Sequence, residues 1–327
     1  MIEGGGTVRV RDLHVEFTGR RLVGGNRKVR AVDGVSFDVA PQEVFCIAGE
    51  SGSGKTTLGR SLLGLVSPTS GTIEVDGMDV GALRGKGLRS FRKRAQMIFQ
   101  DPMGSLNPRQ TVYEVVAEPI RIHELEGHEE ELVAGALARA GLRPPERFFL
   151  NYPHELSGGQ RQRLIIASAI VLQPQVIVAD EPVSMLDASV RGEILRLLVE
   201  LKASMGLTLL LITHDLGFAW ALADRVAVMY LGKIVELGPA ERVLTRPLHP
   251  YTRSLIAASP EIGKRSAPII LEGEPPNPSN IPPGCRFHPR CPEVRSGRAA
   301  PVLDRCHGEV PELREIEPAH FAACHLL

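Results

Sequence analysis

The residues from Gly49 to Thr56 read GESGSGKT, between a dense apolar run, Val44–Ala48, and a helical one. Glycines at these spacings let a loop wrap so closely that successive backbone N–H groups point at phosphate oxygens, at the positive end of a helix. We predict that Lys55 reaches the β- and γ-phosphates of a nucleotide and that the Thr56 hydroxyl binds Mg²⁺. A chance Gly/Ser turn with a surface lysine is the alternative, which the flanking strand and helix disfavour. The predicted nucleotide-binding residues here are Gly49, Glu50, Ser51, Gly52, Ser53, Gly54, Lys55, Thr56 and Thr57.

A pair of carboxylates stands about 125 residues downstream of this loop, where the apolar run 176–179 ends in Asp180 and Glu181. An aspartate at the end of a buried strand can hold Mg²⁺ through water. A glutamate beside it can orient and deprotonate an attacking water. An acidic turn after a core strand is common by itself, but together with the phosphate loop this pair favours nucleotide hydrolysis.

Hydrophobic patterning predicts the elements that must position these groups. Apolar or alternating runs predict strands at 8–17, 35–39, 44–48, 71–80, 176–179 and 207–213. Apolar spacing near 3.6 predicts helices at 55–65, 188–204 and 216–223, and a helical insertion from about 111 to 172. The Gly- and Arg-rich run 18–30 is expected to be a loop. Because strands and helices alternate, we predict an α/β fold whose mostly parallel sheet is covered by helices, after an early antiparallel β region.

The composition excludes several functional classes. The 327 residues are 43% apolar and 23% charged, with a net charge of zero, which is typical of a globular protein large enough for two domains. A neutral chain argues against nucleic acid as the main partner. No apolar run approaches the ~18 residues that span a bilayer. The N-terminal segment lacks the basic and apolar regions of a secretory signal, so the chain is expected in the cytoplasm.

Four further short motifs complete a pattern. Residues 156–160 read LSGGQ, Gln100 lies in IFQDP, Asp187 ends SMLD after the acidic pair, and His214 lies in THD after a strand. Together with the phosphate loop and the acidic pair, these motifs follow one another over about 165 residues in the order of ABC-type ATPases. The chain resembles that family, and Met185, where the family usually has alanine, is a small departure.

The resemblance assigns roles to single residues by their position in these motifs. Glu181 resembles the catalytic base, and His214 resembles a switch histidine that donates near the γ-phosphate, although a capping histidine after a strand is the alternative. Gln100 is implied to sense Mg²⁺, beside Thr56 and Asp180, and to lie where the transporter is contacted. A further set is implied to complete the site of a second subunit, with a helix N-terminus aimed at the γ-phosphate in a head-to-tail dimer. That set comprises Ser157, Gly158, Gly159 and Gln160, and Asp187 is counted among the nucleotide-binding residues.

Three longer stretches resemble the ATPases of oligopeptide and dipeptide importers: MIFQDPMGSLNPRQTV at 97–112, HPYTRSLIAA at 249–258 and GCRFHPRCP at 284–292. This resemblance implies an ABC nucleotide-binding domain over 1–246, with a helical subdomain at about 101–172, and an importer-type extension over 247–327. Because the extension is rich in proline, we expect it to begin as a stiff, poorly helical connector. The implied partners are two transmembrane permease subunits, a paralogous ATPase or a second copy of this chain, and indirectly a solute-binding protein.

The sequence identifies the residue that would stack on adenine less clearly than it identifies the phosphate loop. Relatives place an aromatic side chain upstream of the phosphate loop, and Phe17 is the best candidate. The run 18–30 blurs the spacing, so a core-facing strand residue is the alternative for Phe17.

Four of the five cysteines fall in the last 43 residues, with five, fourteen and seventeen residues between successive members. Some relatives hold a [4Fe–4S] cluster in a tail of this kind, and four thiolates also suit tetrahedral Zn²⁺. Reduced structural thiols are the alternative. The residues concerned are Cys285, Cys291, Cys306 and Cys324, with His288, His307 and His325 as further candidate ligands for Zn²⁺.

The function implied is that of the ATP-hydrolysing motor subunit of a membrane importer, peripheral on the cytoplasmic face of the cell membrane. Peptides are the default substrate of the resembled group, but the sequence itself is silent on the substrate. The alternative is a soluble ABC ATPase acting on ribosomes or DNA. A third interpretation, compatible with the first, makes the cysteine tail a redox sensor that regulates ATP hydrolysis.

Overall fold

The computed structural model of the chain describes residues 6–20, 26–259 and 273–327. Contacts divide the chain into two compact units. The first unit comprises Val39–Glu43 and Glu74–Leu211 together with the described residues up to Val8. The second comprises the described parts of Arg9–Asp38, Val44–Ile73 and Ile212–Leu327. Within these described ranges, no helix is both long enough and apolar enough to cross a membrane.

The strands and helices alternate along most of the chain, as an α/β fold requires. The strands are β1 (Val8–Arg20), β2 (Asn26–Val39), β3 (Val44–Ala48), β4 (Ser70–Val75), β5 (Met78–Asp79), β6 (Ala95–Ile98), β7 (Val176–Asp180), β8 (Thr208–Thr213), β9 (Arg225–Tyr230), β10 (Lys233–Pro239), β11 (Arg314–Glu317) and β12 (His320–Ala322). The helices are α1 (Lys55–Leu62), α2 (Gly85–Arg94), α3 (Pro102–Ser105), α4 (Val112–Ile122), α5 (Glu129–Arg139), α6 (Gly158–Ile170), α7 (Ala188–Met205), α8 (Leu216–Leu222), α9 (Ala240–Thr245), α10 (Pro250–Ala257), α11 (Pro292–Arg295) and α12 (Leu303–Gly308).

In the first unit, a parallel strand pair carries a layer of helices. Strands β6 and β7 run parallel in register from Ala95 opposite Val176 to Ile98 opposite Ala179. Helices α4, α5 and α6 pack on one another and bury apolar side chains such as Val116. Helix α4 begins with a capping box, because the Thr111 hydroxyl accepts from the N–H of Glu114 and its own N–H donates to the Glu114 carboxylate. The expected helical insertion at 111–172 is therefore present as α4, α5 and α6.

In the second unit, β3 is parallel to β9, and the chain then returns antiparallel through β10. Strand β12 pairs antiparallel with β10, with Glu236 opposite Ala322, and β11 pairs with β12. A separate antiparallel sheet places β1 between β2 and β4. The mixed sheets confirm the predicted α/β class, with parallel strands beside antiparallel ones.

Two local expectations are wrong. The expected loop at 18–30 is strand up to Arg20 and again from Asn26, because β1 and β2 are paired neighbours in one sheet, while residues 21–25 lie outside the described residues. The expected poorly helical start of the extension is helix α10 instead. Proline does not prevent this helix, since Pro250 takes the first helical position, where no backbone donor is needed.

A buried carboxylate fixes the point at which the extension leaves β10. Glu236 is fully buried and accepts from the N–H groups of Leu248 and His249, at 2.8 and 2.9 Å. The His320 ring of β12 contacts the same carboxylate through Nε2, at 2.8 Å. His249 is itself buried, and its Nδ1 accepts from the N–H of Tyr251 as the cap of α10. The buried Glu236 carboxylate is therefore paired where β10, β12 and the start of α10 meet.

His249 is predicted to make the fold sensitive to acid. Burial lowers the pKa of His249 to about 4, from 6.5. The folded chain therefore binds fewer protons than the unfolded chain between these values, so the free energy of unfolding falls as the pH drops from 6.5 towards 4, by on the order of 3 kcal/mol. We expect His249→Asn, which keeps a capping oxygen but does not titrate, to remove that part of the slope in urea unfolding measured over this pH range.

His128 provides the matched control, because it is an exposed N-cap histidine whose side chain makes no hydrogen bond to α5. We expect His128→Asn to keep the slope of the unsubstituted chain. A His249→Asn chain with an unchanged slope would contradict the assignment.

Candidate functional site

The phosphate loop Gly49–Gly54 joins β3 to α1 in the second unit, as predicted, and it is packed against backbone at both ends. Gly54 has φ +103°, and a Cβ there would lie 2.0 Å from the carbonyl oxygen of Ala31. A Cβ at Gly49 would lie 2.3 Å from the carbonyl oxygen of Met229. Only glycine fits at either position, so the loop has its shape before any ligand binds.

The Lys55 ammonium lies inside this loop. Lys55 is 5% exposed, and its Nζ donates to the carbonyl oxygens of Gly49 and Glu50, each at 2.8 Å. The first turn of α1 holds no acidic residue, so the positive end of the helix keeps its full attraction for an anion. This loop therefore presents a cation and a helix N-terminus together, as the binding of a phosphate chain requires.

His214 lies in the second unit, as the first residue after β8, and its side chain is exposed. The capping role belongs to its neighbour, because the Asp215 carboxylate accepts from the N–H of Gly217 at 2.8 Å, at the start of α8. The alternative of a capping histidine is therefore not what the structure shows.

The predicted acidic pair lies at the end of β7 in the first unit. Asp180 is 2% exposed, as the last residue of the strand. Glu181 follows with φ +44°, a left-handed conformation that is strained for a residue other than glycine. Backbone strain of this kind persists in folded proteins where the surrounding structure holds the side chain in one particular position. The Glu181 carboxylate accepts from Nε2 of Gln100 at 2.9 Å, so the structure brings the predicted base and the predicted Mg²⁺ sensor together.

The LSGGQ segment begins α6 in the same unit. Ser157 caps the helix in a capping box with Gln160, since the hydroxyl accepts from the N–H of Gln160 and the Gln160 side chain accepts from the N–H of Ser157. A Cβ at Gly159 would lie 2.7 Å from the Val190 side chain of α7, so glycine allows the two helices to approach. Asp187 is exposed at the start of α7.

Phe17 of β1 is 45% exposed, so the alternative that it faces the core is wrong. An exposed ring on a strand is free to stack on a flat ligand. Its role as the adenine contact stays a prediction.

The four tail cysteines line one cavity beneath α10, and all four are free thiols. Burial raises the pKa of each thiol, that of Cys285 to about 12, which disfavours the reactive thiolate that a redox sensor needs. Over the part of the chain that the structure describes, no group of three or more His, Cys, Asp or Glu side chains is arranged to hold a metal ion. The predicted [4Fe–4S] or Zn²⁺ site at Cys285, Cys291, Cys306 and Cys324 therefore lacks support.

Mg²⁺ is a different case, because it takes hard oxygen ligands. The Thr56 hydroxyl and the buried Asp180 carboxylate are donors of this type. Gln100 uses its amide nitrogen on Glu181 and so keeps its amide oxygen for a cation. The residue types that the family pattern assigns to Mg²⁺ fit that ion.

Two family models match the chain. Residues 32–184 match the ABC transporter model, and residues 235–297 match the model of the oligopeptide/dipeptide transporter C-terminal region. A glycine-rich loop of the phosphate-binding pattern, an acidic pair after a buried strand and a capped LSGGQ helix define the class of ABC ATPases.

Curated relatives agree over nearly the whole length. A probable peptide ABC transporter ATP-binding protein, y4tS of Sinorhizobium fredii, is 46% identical over 302 residues, which is 91% of this chain and 83% of that protein. The oligopeptide transport ATP-binding protein AppF of Bacillus subtilis is 47% identical over 305 residues, 91% of this chain and 90% of that protein. The chain therefore belongs to the ATP-binding proteins of ABC transporters, in the oligopeptide/dipeptide group, and it is an ATPase.

A solved structure supports the same fold. The dimeric post-hydrolysis state of the ATP-binding cassette MJ0796, bound to ADP and Pi, has a TM-score of 0.63 at 27% identity, over 71% of this chain and 98% of that chain. The alternative of a soluble ATPase acting on ribosomes or DNA receives no support from these relatives.

Sequence reasoning missed two residues that contact the phosphate loop, Tyr251 and Arg290. Both lie in the extension and contact Glu50. The stretches HPYTRSLIAA at 249–258 and GCRFHPRCP at 284–292 contain Tyr251 and Arg290 respectively, but they pointed only to a family resemblance.

The loop geometry makes Gly54→Ala a sharp test. The added methyl group would meet the Ala31 carbonyl oxygen and strain φ, so the loop must move. We expect the MgATP dissociation constant of the full chain to rise by roughly tenfold or more, measured by equilibrium binding. The control is Gly135→Ala in α5, where a methyl group meets nothing within 4 Å, and it should bind MgATP as the unsubstituted chain does. Equal binding by the two variants would contradict the geometry.

Proposed function

We propose that the chain is the ATP-hydrolysing subunit of a membrane importer for peptides. The observation that carries this proposal is that the similarity to peptide-transport ATP-binding proteins covers both the nucleotide motifs and the extension at 235–297. The extension makes a peptide importer a better match than an ABC transporter of another substrate class.

The phosphate loop is proposed to bind the nucleotide. Backbone N–H groups of the loop 49–57 other than that of Glu50, together with the Lys55 ammonium, would meet the phosphates, and Phe17 would stack on adenine. The N–H of Glu50 donates to Tyr251 instead. Thr56, Gln100 and Asp180 would hold Mg²⁺, which neutralises phosphate charge when it is bound. Lys55 supports this assignment because its charge is already enclosed by the loop.

Hydrolysis is proposed to depend on Glu181 and His214. Glu181 would accept a proton from the attacking water, and its left-handed backbone and its hydrogen bond from Gln100 set the direction of the carboxylate. His214 would donate to the γ-phosphate as charge develops in the transition state. Its side chain is exposed directly after β8, and the cap of α8 is its neighbour Asp215.

The signature residues are proposed to act on a second ATPase subunit, either a paralogue or a second copy of this chain. Ser157, Gly158, Gly159 and Gln160 begin α6, whose positive end would face the γ-phosphate bound by the partner, with Asp187 beside the same interface. Two permease subunits would convert closure and reopening of this dimer into alternating access. The chain would then work on the cytoplasmic face of the membrane, supplied by a solute-binding protein.

Glu181→Gln tests the hydrolytic role. The amide cannot accept the proton, so we expect ATP turnover to fall by about 100-fold or more while MgATP binding remains. Steady-state phosphate release and equilibrium nucleotide binding measure the two effects. Glu241→Gln, at an exposed position of α9, is the control and should keep full turnover. Normal turnover by Glu181→Gln would show that another group is the base.

The transporter proposal is tested by purifying the full chain from its native membranes in a mild detergent and identifying the proteins that come with it. Two multi-span permeases, with or without a second ATPase, are the expected result. Ribosomal proteins or nucleic acid without any membrane partner would refute the proposal.

A further inference from the structure

Glu50, the second residue of the phosphate loop, is engaged by the extension at both its side chain and its main chain. Arg290 Nη1 donates to Oε2 of Glu50 at 2.8 Å, and Nη2 donates to Oε1 at 3.1 Å, so the ion pair is bidentate. The backbone N–H of Glu50 donates to the Tyr251 hydroxyl at 2.9 Å. These contacts join positions 240 and 201 residues apart in sequence.

Both contacting side chains are held rigidly. Tyr251 is fully buried, and its ring lies 4.7 Å from that of Tyr230 and 5.3 Å from that of Phe287. Arg290 is 5% exposed, at the end of the 3₁₀ turn His288–Arg290 directly after Phe287. Tyr251 therefore has no room to leave Glu50 without disturbing this aromatic cluster, and the buried Arg290 lies close to Phe287 of the cluster in sequence.

A second connection runs through the turn between β9 and β10. Arg286 forms a buried ion pair with Asp33 and also donates to the carbonyl oxygen of Leu231. The next N–H, that of Gly232, donates to the carbonyl oxygen of Ser53 in the phosphate loop at 2.8 Å. The segment from Arg286 to Arg290 thus supports the loop at two places.

The charge of Glu50 makes this contact important for nucleotide binding. A carboxylate in a loop that receives a polyanion repels the ligand unless a cation neutralises it. Burial disfavours a charged Arg290, but Glu50 outweighs this effect and raises the pKa of the guanidinium. The bidentate ion pair with Arg290 therefore leaves no unpaired negative charge in the loop at Glu50.

We propose that Arg290 and Tyr251 are positioning residues of the nucleotide site, and that through them the C-terminal extension sets the affinity of the phosphate loop for ATP. Arg290 neutralises and orients the Glu50 carboxylate, and Tyr251 fixes the backbone where the loop leaves β3. This inference rests on the proposed assignment of 49–57 as the nucleotide site.

The test is a double-mutant cycle on the MgATP dissociation constant of the full chain. Arg290→Met leaves the Glu50 carboxylate unpaired, so we expect the dissociation constant to rise roughly tenfold. In a Glu50→Gln background the same substitution has no charge to expose, and its effect should shrink to about twofold or less. In the chain that keeps Glu50, the rise in the dissociation constant caused by Arg290→Met should also become smaller between about 0.05 and 0.5 M salt, because salt screens the repulsion between Glu50 and the phosphates.

Further variants separate positioning from folding. Arg290→Lys keeps the charge but loses the bidentate geometry, so we expect an intermediate dissociation constant, and this variant carries the test if Arg290→Met does not fold. Tyr251→Phe keeps the ring and removes only the hydroxyl, so a rise of roughly threefold is expected. Arg305→Gln is the control, since this tail arginine pairs with Glu309 on the exposed surface and should bind MgATP normally.

Equal effects of Arg290→Met in the two backgrounds would overturn the proposal, because they would show a general structural role. The proposal would also be overturned if Arg290→Met, made in the chain that keeps Glu50, left the MgATP dissociation constant unchanged. Lys55→Ala distinguishes failure of the underlying assignment. If that variant binds MgATP normally, 49–57 is not the nucleotide site, whereas weak binding by Lys55→Ala with no effect at Arg290 refutes only the role of the extension.

Discussion

The structure of the second unit depends on one constraint. A loop that binds a polyanion through its backbone N–H groups has few side chains to hold it, and it must still have a fixed shape. Gly49 and Gly54 meet this constraint by close contact with the carbonyl oxygens of Met229 and Ala31. The loop is therefore positioned by β9 on one side and β2 on the other. Lys55 supplies the charge that such a backbone loop lacks, and the loop's own carbonyl oxygens hold its ammonium group.

The same constraint gives the C-terminal extension a physical connection to nucleotide chemistry. A loop built from glycines has few side chains with which the rest of the protein can hold it, and Glu50 is one of them. Arg290 binds that side chain and Tyr251 binds the neighbouring N–H group. The buried Glu236 in turn fixes the start of the extension on β10. Carboxylates thus mark several of the places where the extension is tied to the rest of the second unit, since Asp33 pairs with Arg286 as well.

Sequence patterns predicted the elements that depend on neighbouring residues. β3, α1, β7, α7 and β8 were placed to within about three residues, because apolar periodicity and glycine spacing are local properties. The loop predicted at 18–30 was wrong for 18–20 and 26–30, since pairing of β1 with β2 outweighs the weak strand propensity of glycine. The helix α10 was also missed, because a proline-rich composition does not reveal which proline stands at a helix start.

The sequence by itself determined the class of the protein and the residues of its nucleotide motifs, since each motif combines backbone freedom and side-chain chemistry within a few positions. Only the tertiary structure decided that Glu181 has a left-handed backbone and meets Gln100, and that Glu50 is paired with the extension. It also decided that the tail cysteines line one cavity, where burial raises the pKa of their thiols. Pairing, burial and pKa depend on groups brought together from distant parts of the chain, and spacing along the sequence carries no record of those distances.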